Sequence, residues 1–352
     1  MKKSSISALT LGLTLSFAST ALASPTINIT GDVRLESRSI DDQIMSPWET
    51  YNQSSFQART RLKLESKVSD DTTVFARYST RNNLGAGETS TRASNFYGVN
   101  NSTSGFDWYG VKQRIGTWDM SVGHQSVNLG QGGIINTGSD VIGTTEFFNG
   151  LVATTKTGKF NVKIIGGKSV YEPDISYIGY PDRTSSEIYG LDFSTKVTGK
   201  LTLGGAWASF NAPVAFYHNG TKQQNWAINM KYDTTPNFSI NGEYVKSDAT
   251  ADTSAYFMAG TYKWNKDSFT VRYNKVQDAS VDRVLSGIGS WSYPLKGAYG
   301  DTWFGTDYHG FTYTYTHQVN KNLSLDVKYM DLSSHGANGS DKELAIGASM
   351  KF

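Results

Sequence analysis

The residues able to do catalytic or metal chemistry in this chain are few. There are five histidines, His124, His218, His309, His317 and His335, and no cysteine. None of the five stands in the H-E-x-x-H spacing that sets two imidazoles on one helical face around zinc, and no G-x-S-x-G turn presents a nucleophilic serine. His317 ends a run of tyrosine and threonine and reads as an interface residue. Gly85-Ala86-Gly87 and Gly130-Gln131-Gly132-Gly133 lack the strand-to-helix setting in which glycines cradle phosphates. The acidic and amide residues between strands show no spaced calcium ligand set. The spacing therefore predicts no catalytic residue, no cofactor, no metal, and no enzyme.

A second chemistry lies in ordered charge. Arg34, then Arg59, Arg61 and Lys63, then Arg77 and Arg81 all take polar-face positions within alternating short segments. On an extended chain such residues share one face with water. Counted up from the nearest short breaks, Arg61, Arg77 and Arg81 fall at similar heights on neighbouring segments. A basic ladder of this kind could select ions. It could also be a solvated wall whose charges pair with Glu36 and Glu65.

The elements that would position this ladder are strands. Ile27, Ile29, Val33 and Leu35 alternate with polar residues, as do Phe56, Ala58, Leu62 and Leu64, and then Val74, Ala76 and Tyr78. Period-two alternation predicts strands with one apolar and one polar face. Sixteen are expected, near 26–37, 54–68, 72–82, 106–115, 118–125, 147–155, 160–168, 187–197, 201–210, 224–233, 238–247, 254–264, 268–277, 308–318, 323–332 and 343–352. Short breaks alternate with longer polar connections, the longest from Asp278 to Asp307. A propeller would show blade repeats, and none is present. The alternation of turn and loop predicts an all-β, antiparallel up-and-down transmembrane barrel, with short periplasmic turns and long extracellular loops.

Composition agrees with this class. Residues 1–23 read as a secretory signal: Lys2 and Lys3 lead an apolar run from Ile6 to Phe17, and Ala21-Leu22-Ala23 ends in a small-residue cleavage pattern. Without Lys2 and Lys3, 31 basic residues balance 31 acidic ones, so charge offers no case for nucleic acid. Residues 24–352 contain no linker or shift in composition and read as one barrel domain. Trp118, Phe160, Phe238 and Phe269 open segments beside short breaks, while Tyr232 and Trp264 close them, as a membrane-interface girdle would. The final segment alternates Leu344, Ile346, Ala348, Met350 and Phe352 with small or polar residues. It resembles the carboxy-terminal strand of bacterial outer-membrane proteins, so the expected location is the bacterial outer membrane.

On these features, residues 24–352 resemble the sixteen-stranded Gram-negative porins. The resemblance implies a water-filled channel for passive diffusion of small hydrophilic solutes and ions, a homotrimer, and outer-membrane lipid as surroundings. It also implies that the connection between the fifth and sixth strands, the glycine-rich stretch Ser126–Glu146, folds inward to narrow the pore. Val122-Gly123-His124-Gln125 is similar to the Gly-Arg-Gln that precedes this loop in several porin groups, with histidine in place of arginine. Facing the basic ladder, the acids implied on that loop are Asp140 and Glu146. Within the channel class, a sugar- or anion-selective pore is the alternative, with Trp291, Tyr293, Tyr299, Trp303 and Phe304 in the longest loop as candidate stacking residues. A surface adhesin barrel without a channel is the alternative outside it.

Overall fold

The computed structural model describes residues 26–42, 51–88, 103–137, 147–170, 186–211, 220–281, 286, 307–334 and 340–352. The signal segment, Asp140, Glu146 and the aromatics from Trp291 to Phe304 lie outside these residues. Regular structure among the described residues is all β. The strands are β1 (Thr26–Asp42), β2 (Tyr51–Lys67), β3 (Thr72–Glu88), β4 (Thr103–Ile115), β5 (Trp118–Gln125), β6 (Asn128–Leu129), β7 (Ile135–Asn136), β8 (Phe147–Thr157) and β9 (Phe160–Val170). They continue with β10 (Glu187–Lys196), β11 (Leu201–Asn211), β12 (Lys222–Asp233), β13 (Phe238–Ser247), β14 (Ser254–Trp264), β15 (Asp267–Val276), β16 (Tyr308–Gln318), β17 (Leu323–Ser334) and β18 (Ser340–Lys351).

Sixteen of these close into one antiparallel barrel in chain order, and β6 with β7 forms a separate two-stranded ladder. Closure joins the two ends of the chain. Arg34 pairs with Ser349 across β1 and β18, and Gly31 and Phe352 exchange backbone hydrogen bonds of 2.9 and 3.0 Å. Closure matters because an open edge would leave a row of unpaired amides and carbonyls in hydrocarbon.

The strands run past the alternating segments at the end away from the short turns. β1 reaches Asp42, β2 begins at Tyr51 and β3 extends to Glu88. There the apolar-polar alternation lapses, so the period-two signal vanishes while the backbone ladder continues. The face of β4 is hard to read from sequence because the register shifts between Arg77 and Tyr78. Asp107 is the unpaired residue of that bulge, and a bulge re-aims the side chain it carries.

Each strand turns one alternating set of side chains toward the barrel interior and the other set outward. On β12 the outward residues are Trp226, Ile228, Met230 and Tyr232, and the inward ones include Asn225 and Ala227. Phe238, Tyr262, Phe269 and Tyr315 are cross-strand partners in succession and form an outward row near the short-turn end. Trp118, Phe160, Tyr232 and Trp264 take outward positions at the same end. A second outward row, Trp226, Tyr244, Tyr256 and Tyr273, stands toward the other end. Aliphatic residues such as Ile228, Met230, Met258 and Val271 lie between the two rows. An apolar belt flanked by aromatic girdles is the arrangement a bilayer demands of a barrel.

Candidate functional site

The interior has two unlike walls. On β17, β18 and β1 through β4 the inward positions carry charge. Arg34, Arg59, Arg61, Lys63 and Arg77 all face inward, as the alternation predicts. The backbone of Arg81 pairs with Arg59, while its side chain lies outside the described residues.

These cations do not form a bare ladder, because acids from the same wall stand between them. Arg34 reaches Glu36 and Asp326, each at 2.8 Å, and donates to Ser349 Oγ at 2.9 Å. Arg38 stands 2.9 Å from Glu36 and 3.0 Å from Glu343. Asp32 accepts from Arg61 at 2.8 Å and Arg59 at 3.3 Å. Glu65 lies 3.1 Å from Lys63 and 2.7 Å from Lys112, and Asp107 takes Arg77 at 2.7 Å. Glu36 and Glu65 were legible as partners in the sequence. Asp32 was visible on the same strand face. Asp326 and Glu343 come from the opposite end of the chain and meet Arg34 and Arg38 only because the barrel closes. Asp107 was hidden by its bulge.

The facing wall, β8 through β17, is apolar toward the end away from the short turns. Phe148, Ile165, Ile188, Ala208, Phe210, Val245, Val276, Tyr308 and Leu332 are buried there. The segment after β5 lies against this wall. Leu129, Ile134 and Ile135 have no exposed surface and belong to the same apolar cluster. The ladder of β6 with β7 folds the segment back on itself, pairing Leu129 with Ile135. A ladder of two residues per strand is too short to give a period, so the sequence read this stretch as unstructured.

Polar contacts fix the segment at defined heights. Lys163 on β9 donates to the Asn128 carbonyl at 3.0 Å and its side-chain oxygen at 2.9 Å. The Gly130 amide donates to Asp192 Oδ2 on β10 at 2.7 Å, and the Gln131 amide donates to Glu243 Oε2 on β13. The Gln131 side chain donates to the Met230 carbonyl at 2.8 Å and accepts from Asn241 at 2.7 Å. Asp192, Asn241 and Glu243 all stand on inward faces.

Gly130 has φ +65°, and a Cβ there would meet the Glu243 carboxylate. Both the backbone and the wall therefore exclude a side chain. A Cβ on Gly190 would collide with Leu129.

A second segment, following β15, covers the first. Asn225 donates to the Ser280 carbonyl and Ser247 to the Ala279 carbonyl, both at 2.6 Å, and Ser286 donates to the Gly133 carbonyl. In ring order Gln131 rests on β12 and β13, eight strands around from β2 and β3. The segment and the charged wall thus face each other across the barrel. His124, which stands where the related pattern has arginine, donates from Nδ1 to Asn149 Oδ1 at 2.7 Å and stacks on Tyr109 at 5.2 Å between ring centroids.

No family model matches the chain, and no curated protein matches it. Solved structures do. A loop-deletion form of OmpT, an outer membrane protein of Vibrio cholerae, has 13% identity and a TM-score of 0.57, with 93% of this chain and 99% of that chain covered. A mutant of the Rh. blastica porin has 10% identity and a TM-score of 0.54, with 93% and 100% covered. A triple mutant of the Rhodopseudomonas blastica porin has 10% identity and a TM-score of 0.52 over the same shares. Identities this low carry the architecture alone. This chain has the fold of the sixteen-stranded outer-membrane porin barrels.

Proposed function

We propose that the chain is an outer-membrane porin, a water-filled channel through which small hydrophilic solutes and ions diffuse passively. It spans the membrane with the short turns toward the periplasm and the long connections outside, as a homotrimer exported by the signal at residues 1–23. The observation that carries this reading is the pairing of an outward apolar belt with an interior of charged groups. A charge on a lipid face near the midplane costs about 2–4 kcal/mol. The many charges of β17, β18 and β1 through β4 are inward instead, where partner charges and water accommodate them.

Segment 126–146 is the constriction loop of this channel. The support is its attachment, through Gly130, Gln131 and Leu129, to inward groups of the wall facing Arg61 and Arg77. Asp140 and Glu146 remain the proposed loop acids. The wall acids Asp32, Glu36, Glu65, Asp107 and Asp326 make the charged side a mixed field in place of a purely basic one. The channel performs no catalysis in this reading.

Purified protein in planar bilayers should give stable steps of conductance, and liposomes should swell in small sugars with rates that fall as solute size rises. A bilayer that stays closed would exclude the channel and favour an adhesin. Deletion of Gly130–Asp140 should raise the single-channel conductance. An unchanged step would place the loop outside the conducting path.

A further inference from the structure

Most of the strands that run toward the short turns end on a basic inward position. At its last inward position, β2 carries Lys67, β4 Arg114, β8 Lys156, β10 Lys196, β14 Lys263 and β18 Lys351; β16 carries a neutral residue, Gln318, and β12 carries Asp233, one inward step beyond Lys231. Each lies on the alternation of a buried inward residue, such as Arg59 on β2, Phe148 on β8, Ile188 on β10, Ala227 on β12 and Phe257 on β14. Six of eight such positions are therefore basic, all at the same end of the barrel.

Neighbouring acids do not neutralise these cations evenly. Lys67 pairs with Asp70 at 2.9 Å, Arg114 with Asp119 at 2.8 Å and Lys231 with Asp233 at 3.3 Å. Directly across from Lys156, Lys196 and Lys263 stand Asn161, Thr202 and Ser268, all uncharged. Among the described residues, no carboxylate lies within ion-pair distance of these three lysines, and all three are exposed. The adjoining turns add Lys159, Lys200 and Lys266. Lys200 donates to the Thr234 carbonyl at 2.9 Å and Lys266 to the Val319 carbonyl at 3.0 Å, so both are turned back onto the rim.

We propose that this short-turn mouth is a basic vestibule that concentrates small anionic solutes, a second determinant of selectivity distinct from the constriction. The inference rests on the channel reading above. Strands lie about 4.8 Å apart, so inward groups on every second strand are roughly 10 Å from their neighbours. That is about the Debye length at 0.1 M salt, and the potentials of adjacent ammonium groups overlap there. At 1 M the screening length is about 3 Å, and each lysine acts alone. A ring of like charge is a recurrent device for anion-conducting pores. Solvation of the rim would require lysine on either face; the inward register at every second strand is what points to the lumen.

The test uses the full chain in planar bilayers under a potassium chloride gradient. The triple variant Lys156→Gln, Lys196→Gln, Lys263→Gln should lower the chloride-to-potassium permeability ratio by about two- to threefold near 0.1 M and hardly at all near 1 M. The corresponding Glu variant should lower it further. The turn variant Lys159→Gln, Lys200→Gln, Lys266→Gln should move it much less. An inward variant that conducts normally with an unchanged reversal potential would overturn the vestibule, as would an equal effect from the turn variant. Absence of conductance in the unaltered protein would instead overturn the channel reading on which it rests.

Discussion

The Gly130 amide and the Asp192 carboxylate, 62 positions apart, meet in a 2.7 Å hydrogen bond on the inner wall. With Gln131 on Glu243, this bond sets where the loop after β5 lies against that wall. A hydrogen bond to a charged acceptor contributes about 1.5–3 kcal/mol. Two such bonds can hold a short segment against its gain in chain entropy. Asp192→Ala should therefore raise and broaden single-channel conductance, whereas Asp192→Asn, which keeps an acceptor oxygen, should stay close to the unaltered protein. Equal conductance in all three would remove the anchoring role.

Gly190 on β10 leaves room for Leu129, and a larger side chain would fill the seat that Leu129 occupies. Overpacking of a tight contact costs about 1–3 kcal/mol. Gly190→Val should unseat the loop while the barrel still forms, since the barrel wall keeps its own ladder. Limited proteolysis of folded protein should then show faster cleavage near residues 126–137. Combining Gly190→Val with Leu129→Ala should restore part of the protection.

On the charged wall, Asp32 lies between Arg59 and Arg61. Removing that negative charge leaves the arginines less compensated. Asp32→Asn should shift the reversal potential toward anions, and Arg61→Gln should shift it toward cations. If neither moves it, these pairs are structural only and the field that selects ions lies elsewhere.

Arg34 stitches the seam at which the chain ends meet, through Glu36 on its own strand, Asp326 on β17 and Ser349 on β18. Taking one member from a partly buried ion network leaves its partners uncompensated, at a cost of about 3–5 kcal/mol. Arg34→Ala should lower the temperature at which the folded barrel loses its compact migration in detergent gels. Arg34→Lys should recover only part of the loss, because a single ammonium cannot span both carboxylates as the guanidinium fork does.

Much of the architecture is written locally. Alternation marked all sixteen barrel strands, and the expected β5, β13, β14 and β16 coincide with the observed bounds. The aromatic residues named beside the short breaks stand outward, where the girdle was expected. The inward direction of Arg34, Arg59, Arg61, Lys63 and Arg77 also follows from period two, because alternation alone sets which face a side chain takes.

What depended on tertiary structure are the contacts between distant parts of the chain. No local pattern could reveal that Asp326 and Glu343 would stand among the arginines of β1, since closure of the ring brings them there. Nor could it show that Asp192, Asn241 and Glu243 would hold the glycine-rich loop. Those residues look like ordinary polar positions on their own strands, and only the fold of the loop brings its backbone and side chains onto them. The sequence by itself determined the faces of the strands, because a side-chain period of two is a property of the extended backbone. The tertiary structure alone decided how charges pair across the lumen and where the loop rests, because both depend on strands separated by tens to hundreds of residues meeting around a closed wall.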